Sequence, residues 1–204
     1  MLFYDSVGPN PRVVRIFAAE RGVELPSTKI DLRAGENRQP PYMAKNPAGQ
    51  MPALELDDGF VLAEITAICE YLDEIGPSGK TLIGATPQER AETRMWVRRI
   101  DLNIIEPGAN GFRFAEGLKL FQNRIRCIPE AADGLKATAR DKLKWLDGLM
   151  GDKPFVAGEK LTMADILLFA FVDFMGQVGQ PLDPENKNLT AWFGRMKARP
   201  SAAA

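Results

Sequence analysis

The chain has no histidine and only two cysteines among its 204 residues. Without imidazole there is no Ser-His-Asp or Cys-His nucleophile system and no histidine-containing zinc site. The two thiols, Cys69 and Cys127, lie too far apart for a CxxC redox pair and are too few for a disulfide framework. No ordered Asp/Glu spacing suggests a carboxylate cage, so no metal is expected. Long apolar runs are missing too, and MLFYDSVGPNP has no cationic stretch leading into an apolar one. Neither a membrane span nor a secretory signal is expected, and the protein reads as cytoplasmic. Charge of one sign is equally absent: 26 basic and 27 acidic residues leave a formal net charge of −1. That balance sets up no global field to collect nucleic acid or an anionic membrane surface.

What remains is the composition of a soluble globular protein, 45% apolar and 26% charged, long enough for one large domain or two small ones. LFY reads as a short strand. Asn10 as N-cap, Pro11 at the first helical position and Gly22 past the end punctuate a helix carrying Val13, Val14, Phe17 and Ala18. STKIDL reads as a second strand, followed by an irregular loop with room for a short helix. ALEL and FVL flank Asp57-Asp58-Gly59 as a hairpin. Ile65, Ile68, Leu72 and Ile75 then stripe a helix over 65–75. The order strand, helix, strand, loop, hairpin, helix predicts a four-stranded mixed sheet with helices packed on it.

Residues 77–86 are rich in Gly, Ser, Thr and Pro and read as a linker between a first domain, 1–76, and a second, 87–204. Thr86-Pro87-Gln88-Glu89 forms a capping box, and from there only helices are predicted. Their spans are 87–116 (bent near Pro107-Gly108), 118–128, 130–150, 162–178 and 189–199. The expected fold class is a small α/β domain followed by an all-α domain.

Two segments carry a family resemblance. NPAGQMPALELDDGFVLAEITAICEYLDE resembles the glutathione-binding signature of the cytosolic glutathione transferases, and PFVAGEKLTMADILLF resembles the capping motif of their helical domain. The resemblance implies a thioredoxin-like domain and a helical bundle. It also implies a homodimer, and one glutathione site per subunit facing a small hydrophobic electrophile. Glutathione serves as co-substrate, and no cofactor is expected. Pro52 matches the family's cis-proline, so the Met51 main chain is expected to pair with the cysteinyl backbone of glutathione. Glu64 matches the acid that takes the γ-glutamyl ammonium, while the helix start after it takes the carboxylate. The family's Ser at the next position is Ile65 here; the Ile65 amide and the Thr66 hydroxyl remain as donors. Asn37 and Gln50 match positions near the glycyl carboxylate.

The group at the sulfur is less plain. Family members place Tyr, Ser or Cys near the first helix, and YDSVGPNPRVVRI offers Asn10, then Ser6, then Tyr4, in that order of preference. With no Cys at position 10, a mixed disulfide at that site is not expected. The resemblance also leaves open glutathione-dependent reduction of a disulfide or peroxide, or a binding protein without turnover. Arg98, Ile105 and Phe112 are the candidates for the electrophile pocket.

Overall fold

The short apolar run Leu2-Phe3-Tyr4 builds the centre of a sheet in the computed structural model, which describes residues 1–204. β1 (Leu2–Asp5) buries Phe3 completely, while its neighbour Tyr4 points to the opposite face. β2 (Ser27–Lys29) lies parallel to β1 on one side. β3 (Ala53–Glu55) lies antiparallel on the other and pairs in turn with β4 (Val61–Ala63). The order β2-β1-β3-β4 is that of a thioredoxin-like sheet. α1 (Pro9–Arg21) and α3 (Ile65–Ile75) pack together on the Phe3 face, burying Val13, Val14, Phe17, Ile68, Cys69 and Leu72. On the other face Ile30, Tyr42, Met51 and Ala53 form a second cluster with Tyr4, Leu32 and Val61, beneath the short α2 (Pro40–Met43).

The start of α1 corrects one expectation. Asn10 is not the N-cap. Gly8 occupies that position at φ 109°, and Pro9 opens the helix, so Asn10 and Pro11 already lie in its first turn. Amides there have no intrahelical partner, so two prolines are tolerated. They also leave Asn10 as the one first-turn residue with an amide proton to offer.

The chain divides into two units, Met1–Ile83 with Pro200–Ala204, and Gly84–Arg199. In the first, Leu82 and Ile83 are buried, and Leu82 N–H donates to Asp73 at 2.9 Å, so this part of the 77–86 stretch is anchored. The last five residues pack on α1, where Arg12 donates to Ala202 O at 3.0 Å and Ser201 donates to Glu20.

The second unit is helical: α4 (Pro87–Ile100), α5 (Glu106–Phe114), α6 (Leu118–Phe121), α7 (Ala132–Met150), α8 (Met163–Gln177) and α9 (Lys187–Lys197). The bend expected at Pro107-Gly108 is instead a π turn at Asp101–Ile105 just before the proline. Pro107 cannot donate to the preceding turn, so the ladder widens ahead of it. The helix expected over 118–128 shrinks to α6, because none of its side chains is fully buried and Ile128, preceding Pro129, is held out of the helical region. The capping box at Thr86/Glu89 forms, and at the start of α8 the Thr162 hydroxyl donates to Asp165 at 3.1 Å. Asp165 is wholly buried and accepts from Val156 N–H (2.8 Å), Thr162 N–H (3.0 Å) and Trp192 Nε1 (3.0 Å), which ties α8 to α9 and the loop before it.

Candidate functional site

A cavity of about 40 Å3 opens in the first unit, lined by Asn10, Asn46, Gln50, Met51, Pro52, Glu64 and Ile65. Three chain features meet there: the start of α1, the loop into β3, and the β4–α3 junction. The Met51–Pro52 bond is cis. Neither the amide nor the carbonyl of Met51 is paired within the chain, although the residue is only 9% exposed. Main-chain groups in folded proteins are mostly paired, so this open pair beside a cavity is available to another chain.

At the β4–α3 junction Glu64 holds φ 67° and ψ 122°. It is the sole non-glycine residue in the chain with positive φ. Such backbone persists only where its surroundings over-determine it. The Glu64 side chain is exposed and makes no cap to its helix, so its carboxylate is free for a cation. The amides of Ile65, Thr66 and Ala67 lie ahead of the first ladder bond, Ile68 N–H to Glu64 O at 3.0 Å, and no acidic residue sits in that turn. The junction therefore offers a carboxylate and an anion-binding helix start side by side.

Other sequence candidates lie outside the cavity lining. Ser6 is buried and donates its proton to Ile30 O at 2.7 Å. Tyr4 donates to Glu55 at 2.5 Å, which pushes its pKa up to about 12 and stacks the hydroxyl against ionisation. Glu55 is also held by Lys45 at 2.5 Å, and these two hydrogen bonds lower its carboxyl pKa. Asn37 is buried and spends its amide on Gly49 O, which joins the 3-10 turn at Glu36–Arg38 to the cavity loop. The approach is close: a Cβ on Gly49 would lie 3.2 Å from Asn37 O. Thr66 sits one residue into α3, half-buried.

In the second unit the three electrophile candidates occupy different settings. Arg98 is exposed and 4.0 Å from Asp101. Ile105 is buried in the π turn. Phe112 stands edge-on to Phe121 (6.1 Å) and Phe174 (5.2 Å). Cys69 is buried, and burial pushes its thiol pKa well up. No helix is long and apolar enough to cross a membrane.

Two residues that the sequence did not single out hold the loop that lines the cavity. Asn46 lines the cavity, accepts Ala48 N–H at 3.2 Å and donates to Gln50 O at 2.9 Å. Its Asn-Pro-x-Gly context is an Asx-turn signal that could have drawn attention to it. Tyr42 donates to the same carbonyl at 2.6 Å, across a spacing with no sequence signature.

A thioredoxin-like sheet domain followed by a helical domain defines the fold class. Residues 7–75 match the family model for the glutathione S-transferase N-terminal domain, and residues 128–200 match that for the C-terminal domain. Glutathione S-transferase 2 of Saccharomyces cerevisiae is 36% identical over 98% of this chain and 87% of its own length. The crystal structure of a glutathione S-transferase domain-containing protein from Marinobacter aquaeolei superposes with a TM-score of 0.92. It is 34% identical and covers 98% of this chain and 99% of that one. Gtt2 from Saccharomyces cerevisiae superposes at 0.87 with 33% identity, covering 100% and 99%. The chain belongs to the glutathione S-transferase family.

Proposed function

We propose that the protein is a glutathione transferase that holds glutathione as a thiolate and adds it to a small hydrophobic electrophile. The observation that carries this reading is the unpaired Met51 main chain beside the cavity, with the Glu64 carboxylate and the open start of α3 on the same rim. The cysteinyl backbone pairs with Met51, the γ-glutamyl ammonium with Glu64, and the γ-glutamyl carboxylate with the Ile65 and Thr66 amides.

Asn10 serves the sulfur, through its carboxamide and its main-chain N–H in the first turn of α1. A thiol with pKa around 8.5 must fall by about two pH units to ionise near neutrality, about 2.7 kcal/mol. A hydrogen bond to a charged group contributes roughly 1.5–3 kcal/mol. A helix start adds about 0.3–1 kcal/mol. Those two sources cover the requirement without a general base. The thiolate then attacks the electrophilic carbon, an S–C bond forms, and the leaving group departs with its electron pair.

Neither cysteine lines the cavity, which favours direct attack by glutathione over a relay through an enzyme thiol. The assembly that fits the family is a homodimer in the cytoplasm. Titration calorimetry with glutathione tests binding, and an aryl halide assay beside a small-disulfide assay coupled to a reductase tests the chemistry. Absence of glutathione binding at millimolar concentration would remove the reading. Turnover of the disulfide alone would replace conjugation with reduction.

A further inference from the structure

We propose that Tyr42 and Asn46 are positioning residues, whose two hydrogen bonds to the Gln50 carbonyl aim the Met51 N–H into the cavity. The inference rests on the glutathione reading above. Tyr42 OH donates to Gln50 O at 2.6 Å, and Asn46 Nδ2 donates to the same oxygen at 2.9 Å. A carbonyl oxygen has two lone pairs, and here both are taken. The Gln50–Met51 bond is trans, the one cis bond of the chain being the next. In a planar trans peptide the C=O and the N–H point in opposite directions within one rigid plane. Holding the Gln50 oxygen therefore holds the Met51 amide proton on the far side. The loop needs such a hold, because residues 46–52 belong to no helix or strand.

Both donors are themselves fixed. The Tyr42 ring is 3% exposed and stands edge-on to Tyr4, with centroids 5.8 Å apart and an interplanar angle of 77°. Tyr4 is in turn anchored by Glu55, and Glu55 by Lys45. Burial pushes the Tyr42 hydroxyl up to about 12, so it keeps its proton at any pH near neutrality. For Asn46, the Ala48 N–H on Oδ1 sets which end of the carboxamide faces Gln50. The Tyr42 and Asn46 side chains thus act on glutathione through the peptide plane.

The test uses Tyr42→Phe, which keeps the ring and removes the hydroxyl, together with Asn46→Ala and the double variant. Glutathione is titrated by calorimetry, and KM, kcat and the pH titration of the bound thiol are measured. Each single change should raise Kd and KM for glutathione about three- to tenfold, the size of one neutral hydrogen bond, and the double should raise them further. kcat at saturating glutathione and the thiol titration should not move, because the sulfur's neighbours are untouched. Binding of γ-glutamylmethylamide, which lacks the cysteinyl carbonyl that meets Met51 N–H, should be unchanged. Wild-type binding with an unaltered Kd in Tyr42→Phe would overturn the positioning role and leave the glutathione reading standing. An equal loss for γ-glutamylmethylamide would also overturn it, by showing general loosening. Failure of the wild type to bind glutathione would overturn both. Should Asn46→Ala not fold, Tyr42→Phe decides alone.

Discussion

Glu64 is where conformation and function pull in opposite directions, and a pair of substitutions separates them. Its φ of 67° with ψ of 122° lies at positive φ, where a Cβ is strained and glycine is better tolerated. Strained backbone of this kind costs about 1–3 kcal/mol. Glu64→Gly removes that strain and returns about 0.5–1 kcal/mol through the greater entropy of the unfolded chain. The net expectation is a first unit more stable by about 0.5–2 kcal/mol. Glu64→Ala keeps the strain, and the lost side chain is exposed and makes no helix cap. Its stability should therefore stay within about 0.5 kcal/mol of wild type. Both variants lose the carboxylate assigned to the γ-glutamyl ammonium. A charge-assisted hydrogen bond of about 1.5–3 kcal/mol corresponds to a Kd increase of about 10- to 150-fold. Urea unfolding followed by far-ultraviolet circular dichroism reads the first effect, and calorimetry with glutathione reads the second. If Glu64→Gly is no more stable than Glu64→Ala, the strain argument is wrong. Wild-type affinity in either variant would remove the carboxylate from the site.

Asn10→Ala should raise the pKa of bound glutathione, read from thiolate absorbance against pH, while the main-chain N–H at that position retains part of the effect; an unchanged titration would move the sulfur contact elsewhere. Asp165→Ala strands the Val156 and Thr162 amides and the Trp192 indole N–H in the interior. At about 1–3 kcal/mol for each abandoned donor, the second unit should lose at least about 3 kcal/mol in a denaturant titration, and a loss under about 1 kcal/mol would contradict the network. Tyr4 and Tyr42 should ionise near 12 rather than near 10 in a spectrophotometric titration, with Tyr4→Phe removing one of the two late protons. Because their folded pKa values are raised, the stability they contribute is complete below the unfolded value of about 10 and is lost as pH climbs from about 10 towards 12.

The features legible from sequence are those decided within a few residues. Asp57-Asp58-Gly59 between two apolar runs names a hairpin because the turn chemistry is local. Thr86/Glu89 names a helix start because a capping box closes over three residues. Even there local rules compete. Around Asn10 a good N-cap residue stands between two prolines, and Gly8 with Pro9 wins the boundary. The bend expected at Pro107-Gly108 is a π turn ahead of it for a related reason: a proline's missing donor disturbs the turn that precedes it, while the sequence marks only the proline itself.

By itself the sequence determined the element order, the two-domain layout and the positions of Met51, Pro52 and Glu64, since these follow from periodicity, turn residues and a recognisable signature. Only the tertiary structure decided what the polar side chains touch beyond their own turn of chain. Tyr4 meets Glu55 across 51 positions, Ser6 meets Ile30 across 24, and Tyr42 and Asn46 converge on one carbonyl of a loop. Those contacts depend on strands that pair and loops that return in space, and a hydrogen bond leaves no period in the chain that makes it.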